Sequence, residues 1–268
     1  MIGWRVWVYG NFHIALGAVL MVWRSYNWAG FAPSLPILAL AFFGTMTTYK
    51  LCCLSEMGTG TGDRFAFLKQ HQSYYRYGLA LSVGASLFFL PWTNPLLLSG
   101  VVHLGLISVL YTLPLSWIGW PALRNIPFVK TLLVAYVWAG VGVGLPLLSE
   151  LPWTEIWRYG LAQLLFVLGL TLPFDIRDTH SDTAAGLPTF ANRFGLRCTQ
   201  ILASLALIVA FWLLLPDPGT LPERLTYLIA FGGVWGATPE RPEVYYTGFL
   251  DGLLGLPAVL SLAMWVRA

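Results

Sequence analysis

Charge is scarce in this sequence. Asp, Glu, Lys and Arg make up 10% of its 268 residues, against about a quarter in a soluble domain. A water-facing surface cannot be built from so few, so an ordinary soluble domain is excluded. The formal net charge is only +3 and its basic residues are scattered, which excludes the dense basic face that nucleic acid requires. Cysteine is sparse too. Cys52, Cys53 and Cys198 have no metal-ligand spacing and are read as thiols in or near helices. Residues 1–10 lack a signal-peptide pattern with a small-residue cleavage site, so the first apolar run is expected to be a retained span.

Apolar length is abundant. Hydrophobic residues make up 57% of the chain, and no Asp, Glu, Lys or Arg occurs from Tyr77 to Leu123. Charges and prolines divide the chain into runs near 6–23, 34–54, 77–92, 95–115, 131–148, 158–174, 199–215, 222–237 and 244–266, each of about the length that crosses a bilayer. The 13 Trp and 12 Tyr suit aromatic belts at two interfaces. The expected fold is an all-α integral membrane bundle of about nine transmembrane helices, forming a single domain over residues 1–268.

Basic residues gather in alternate loops. Lys50, Arg64, Lys69 and Arg76 follow the second run, Arg124 and Lys130 the fourth, Arg177, Arg193 and Arg197 the sixth, and Arg241 the eighth. The other loops offer Arg24, Arg158 and Arg224. The bias places the N-terminus and the even-numbered loops in the cytoplasm, in a membrane of the bacterial inner-membrane type. Arg267 dissents mildly. The even loops are also the long, polar ones, so function is expected on that face.

The most informative segment is Leu172-Pro-Phe-Asp-Ile-Arg-Asp-Thr-His-Ser-Asp-Thr-Ala-Ala-Gly-Leu-Pro-Thr189. If the sixth helix continued through it, Asp175, Asp178 and Asp182 would share one face. Three facing carboxylates repel one another and need positive charge. Hard oxygen donors suit Mg²⁺, which commonly joins one or two carboxylates to substrate phosphates. The alternative is a solvated helix end, with Arg177 and Arg193 as ion-pair partners.

Asp175-Ile-Arg-Asp178-Thr-His-Ser-Asp182, followed by Ala185-Gly-Leu-Pro-Thr189 and Asn192-Arg-Phe-Gly195, resembles the second aspartate-rich motif of the UbiA superfamily of intramembrane prenyltransferases. Arg124-Asn-Ile-Pro-Phe-Val-Lys130, Val134-Ala-Tyr-Val-Trp138 and Tyr111-Thr-Leu-Pro114 resemble that family more weakly. The resemblance implies transfer of a prenyl group from a polyprenyl diphosphate to an aromatic or other lipophilic acceptor, with Mg²⁺ held by Asp175, Asp178 and Asp182. It implies that Lys130, and with it Arg124, contacts phosphate. Tyr111, Tyr136 and Trp138 would be the aromatic walls that shield a carbocation.

The family's first motif, N-x-x-x-D-x-x-x-D, is degenerate here. Lys50, Leu54 and Gly58 stand at its three positions. Lys50 is expected to take over by pairing its ammonium with the diphosphate or with Asp175. Glu56 or Asp63 is the other available replacement. The run Gly58-Thr-Gly-Thr-Gly62 is read as a flexible loop, because no strand precedes it. Asp251, inside the ninth run, would face the same cavity as an acceptor-binding or proton-accepting group. Asn11, His13 and His103 are read as helix-bridging groups. Gly140, Gly142 and Gly144 would either admit close helix contact or widen a lipid cavity. Two competing functions fit the same residues: a catalytically degenerate prenyl-lipid-binding protein, and a small-molecule transporter.

Overall fold

The computed structural model describes residues 2–57, 63–113, 119, 122–126, 128–184 and 186–265. Pro114, the Gly-rich run, and the side chains of Glu56 and Asp63 lie outside the described residues. What is described is helical: α1 Ile2–Tyr9, α2 Phe12–Ala29, α3 Leu35–Glu56, α4 Asp63–Gln70, α5 Gln72–Phe89, α6 Pro95–Thr112, α7 Val129–Leu147, α8 Trp153–Arg177, α9 Thr179–Ala184, α10 Phe190–Leu214, α11 Leu221–Gly236, α12 Tyr245–Leu254 and α13 Leu256–Trp265. No strand occurs among these residues. The protein is an all-α membrane bundle.

Each expected apolar run falls on a helix. Five helices, α3, α6, α7, α8 and α10, are long and apolar enough to cross a membrane. Two bent pairs, α1 with α2 and α12 with α13, raise this to seven if each counts as one span. The expected spans at 77–92 and 222–237 fall short of that measure. Helix α5 opens on the polar stretch Gln72-Ser-Tyr-Tyr-Arg-Tyr77. Helix α11 has 16 residues, about 24 Å of rise against a hydrocarbon core of about 30 Å.

Local sequence sets the boundaries. Asn94 accepts the Leu97 N–H at 2.8 Å and Pro95 starts α6, an N-cap followed by a residue that needs no donor. Gly30 ends α2 in the left-handed region at φ 76°, the usual place for glycine. Gln200 donates toward the carbonyls of Val234, Trp235 and Ala237 at the end of α11, satisfying groups that the helix end leaves open.

Helix α8 is the axis of the bundle and packs on α7, α10 and α11. Its contact with α10 is close at Gly169, where a Cβ would come within 2.8 Å of Leu207 and 3.1 Å of the Ala203 carbonyl. Phe166 stacks on Tyr227 of α11 at 4.6 Å. The glycines of α7 take the first of their two expected roles. A side chain at Gly140 would collide with Leu104, and one at Gly142 with Met21. The backbone from Gly140 to Gly144 loosens into a π-helical turn as it passes them.

At the start of α8 a buried polar cluster ties three helices together. Arg24 of α2 is paired with Glu223 of α11 at 2.9 Å, and the carboxylate has no exposed surface. Tyr159 of α8 donates to the other Glu223 oxygen at 2.9 Å. Trp28 stacks on Tyr159 at 4.2 Å and donates to Asp217 at 2.6 Å. Arg24, counted in the sequence as a loop charge, is thus a buried structural residue.

Candidate functional site

The other end of α8 carries the aspartates. Pro173 lacks the N–H that would bond the Gly169 carbonyl, and the helix stops at Arg177. Asp178 is its C-cap at φ −86° and ψ 3°. The chain resumes as α9, with the Asp182 N–H on the Asp178 carbonyl at 2.8 Å. The single continuous helix expected from the spacing is therefore two helices with a step at Asp178. The convergence of the carboxylates survives the step.

They converge on Lys130. Its ammonium stands 3.5 Å from Asp175 Oδ1, 3.8 Å from Asp178 Oδ2 and 3.5 Å from Asp182 Oδ2. Lys130 is placed there by the start of α7, after Phe128 turns the chain at φ 61°. The next residue, Thr131, donates to Asp175 Oδ2 at 3.2 Å. Asp175 is 1% exposed, and its Oδ1 accepts no hydrogen bond among the described residues. Arg177 grips Asp178 with two bonds, at 2.7 and 3.0 Å, while its guanidinium lies over the Phe174 and Tyr246 rings.

The electrostatics follow from these partners. Burial pushes the Asp178 carboxyl up, but Arg177, Lys130 and Arg64 together hold it below the usual carboxylate range. Burial raises the Asp182 carboxyl. Lys130 opposes this and the two neighbouring aspartates reinforce it. The second half of the motif closes the site. Gly186 turns the chain at φ 67°, and Thr189 caps α10 by accepting the Asn192 N–H. Asn192 in turn donates to the Leu187 carbonyl at 3.1 Å. Leu187, Pro188 and Thr189 line a small pocket with Arg124, Lys130, Thr131 and Asp175. Gly195, the last residue of the motif, breaks α10 at φ 81°.

The expected cavity residues divide. Thr131, Ala135 and Trp138 are buried on one face of α7. Residues two apart on a helix point about 200° from each other, so Tyr136 cannot share that face with Trp138. Tyr136 is 42% exposed and its hydroxyl pairs with His103 of α6 at 2.9 Å. The three aromatic candidates therefore do not share one helix face. Tyr111 is half-buried near the end of α6. Asp251 meets His13 of α2 at 3.9 Å, so both polar groups bridge helices.

Lys50 is not brought to Asp175. Its side chain is buried, with the ammonium 4.0 Å from the centre of the Tyr74 ring and 5.2 Å from that of Tyr75. It points at the Gly10 carbonyl at 3.5 Å. The reason lies in the first helical pair. Helices α1 and α2 meet at 57°, with Asn11 in the left-handed region at φ 69°. A broken helix frees carbonyls that need donors. Tyr75 donates to the Tyr9 carbonyl at 2.6 Å, Tyr74 to Gly10 at 3.2 Å, and Lys50 completes the set.

Arg177 is the ion-pair partner that the sequence offered, bound to the adjacent Asp178. Sequence reasoning missed one participant, Arg64. Arg64 bears electrostatically on Asp178 from α4, and no spacing signal announces that approach.

Mg²⁺ has a donor set of the right chemistry here. Three carboxylates lie within 3.8 Å of one cationic point, one buried oxygen lacks a hydrogen bond, and Mg²⁺ habitually keeps several waters. The fit is to a site that lysine now fills. Among the described residues no three His, Cys, Asp or Glu side chains form a ready metal cage.

No family model matches the chain, and no curated protein matches it by sequence. Solved structures do match. A UbiA homologue from Archaeoglobus fulgidus, solved with GPP and Mg²⁺, superposes with a TM-score of 0.64 over 96% of this chain and 99% of its own, at 13% identity. The apo UbiA homologue from Aeropyrum pernix K1 gives 0.68 over 94% and 97%, at 14% identity. The chain has the UbiA fold. A structure described as concerning digeranylgeranylglyceryl phosphate synthase in membranes shares it, with a TM-score of 0.59 over 97% of this chain and 96% of that one, at 13% identity. The UbiA fold thus spans nearly the whole chain, including the pocket where Asp175 and Lys130 meet.

Proposed function

We propose that this protein is a membrane prenyltransferase that moves a prenyl group from a polyprenyl diphosphate to a lipophilic acceptor. The observation that carries this reading is the junction of the buried aspartates with Lys130 in a pocket that Arg124 also lines. Carboxylates and cations at one point can hold a metal–diphosphate pair. Solved neighbours of the same fold were obtained with GPP or DMAPP and Mg²⁺.

In the reaction the allylic carbon–oxygen bond breaks and its electron pair leaves with the diphosphate. Lys130 and Arg124 would meet the departing oxygens as charge builds on them. Asp175, Asp178 and Asp182 would hold Mg²⁺, which when bound supplies positive charge against the leaving diphosphate. Thr131 orients Asp175, and Arg177 keeps Asp178 ionised and fixed. The buried Trp138 offers an aromatic face to the carbocation, Tyr111 is a second candidate, and the acceptor attacks with loss of a proton. Asp251 is the candidate acceptor-side base. We read the chain as one transmembrane domain whose N-terminus and even-numbered loops face the cytoplasm of a bacterial-type inner membrane, so that the diphosphate headgroup reaches the aspartate end.

The test is pyrophosphate release by the purified protein, with a panel of polyprenyl diphosphates and a lipophilic acceptor extract, with and without Mg²⁺. Asp175→Asn keeps the shape and removes the charge. We expect Mg²⁺-dependent release by the wild type and a loss of about a hundredfold in the variant. A second reading has its own support: Lys50 serves the helix break and leaves the family's first motif without its usual donors. A prenyl-lipid-binding protein would retain prenyl diphosphate and release no pyrophosphate under any acceptor.

A further inference from the structure

Three carboxylates gathered at one point need counter-charge, and here the side chains supply it. Arg177 is committed to Asp178 by two short bonds. Lys130 is held tightly by none of the three, its one hydrogen bond to them being a long one, 3.5 Å to Asp182 Oδ2. Its ammonium stands 3.5 to 3.8 Å from all of them, beyond the usual length of a strong hydrogen bond. Asp175 Oδ1, buried and without a hydrogen bond, faces that ammonium. Arg177 and Lys130 are the two cations in direct contact with the three carboxylates. The same lysine lines the pocket with Arg124 and the Thr131 side of Asp175, so a small rotation carries it from the carboxylates toward an anion in that pocket.

We propose that Lys130 is the resident counter-ion of the aspartate cluster, displaced by a single divalent cation and passed on to the diphosphate. The cation and the lysine compete for the same oxygens. Their competition weakens the empty site's hold on metal until an anion gives the lysine a new partner, so metal and diphosphate bind with positive coupling. This inference rests on reading the cluster as the diphosphate end of the site.

Mn²⁺ is the probe, with free ion counted by its paramagnetic resonance signal in the absence of any diphosphate. Removing the competing charge in Lys130→Met is expected to tighten Mn²⁺ about tenfold or more, with one ion bound per chain. Lys130→Arg, which keeps the charge, should bind as the wild type does. Equal or weaker binding by Lys130→Met, or no binding by any of the three proteins, overturns the proposal. A second measurement needs no variant. Saturating Mg²⁺ should increase the rate at which Lys130 is acetylated, read by mass spectrometry against Lys69. An unchanged or slower rate overturns the proposal, and decides alone should Lys130→Met not fold. Neither assay uses a prenyl donor. A wild type that shows both effects yet releases no pyrophosphate would sink the prenyltransferase reading and leave this one standing.

Discussion

Asp175 and Lys50 are equally buried, each 1% exposed, and the structure uses them in opposite ways. Asp175 presents an oxygen with no hydrogen bond to a lysine that does not fully satisfy it. Lys50 is enclosed by two tyrosine rings, a backbone carbonyl, and Gly78, where a Cβ would come within 2.7 Å of its side chain. A buried cation with those neighbours steadies a backbone break and has no reason to bind an outside anion. Lys50→Met should therefore lower stability by about 1–2 kcal/mol, the worth of a cation–π contact and a charged hydrogen bond, measured by thermal unfolding in detergent. Affinity for inorganic pyrophosphate should not change. A fall in that affinity with stability intact would restore Lys50 as a diphosphate ligand. The aspartate triplet was legible in the sequence because its spacing survives a helix step. The role of Lys50 was not, since its partners Gly10, Tyr74 and Tyr75 come from other helices. The direction of Tyr136 was open to simple helical phase, and a list of aromatic residues conceals it.

Elements were the most legible scale. All nine apolar runs fall on helices, because hydrophobic length in a low-charge chain leaves few other solutions. What hydropathy does not register is angle. The 57° turn at Gly10-Asn11 and the 51° turn at Gly255 lie inside continuous apolar stretches, and only tertiary donors make the first of them affordable. Packing between elements is equally invisible until small residues are seen against their neighbours. Gly169 lets α8 and α10 approach until Leu207 and the Ala203 carbonyl leave no room for a methyl group. Gly169→Ala should cost about 1–3 kcal/mol through overpacking, despite the better helix propensity of alanine. Unfolding in detergent, with Gly44→Ala in open space as the control, separates the two effects. A stabilised Gly169→Ala would mean that the helices can part freely.

For the whole molecule, the two polar clusters at opposite ends of α8 have different characters. The aspartate end has a pocket and partly exposed charges. The Arg24–Glu223–Tyr159 end has none exposed to speak of, with Arg24 at 3% and Glu223 at 0%. Removing one partner of such a pair strands the other. Arg24→Met should destabilise the protein by about 3–5 kcal/mol, and Arg24→Met combined with Glu223→Met should recover much of the loss. A denaturation double-mutant cycle reads the difference. Equal destabilisation by the single and the double variant would mean that packing, and not the pair, holds this end.

That far-end cluster is expected to make the protein an electrical insulator as well. A living membrane keeps a voltage of the order of 100 mV, enough to drive ions through any continuous thread of water. A membrane prenyltransferase that took in a lipid tail, and a diphosphate at one face, would invite such a thread. At the other end of α8 Arg24 and Glu223 are all but fully buried against each other, which leaves little polar surface for such a thread to follow. Proteoliposomes carrying the protein should therefore hold a potassium diffusion potential as long as protein-free vesicles do, read with a voltage-sensitive dye. Rapid collapse of that potential would mark the chain as a conductor and revive the transporter reading.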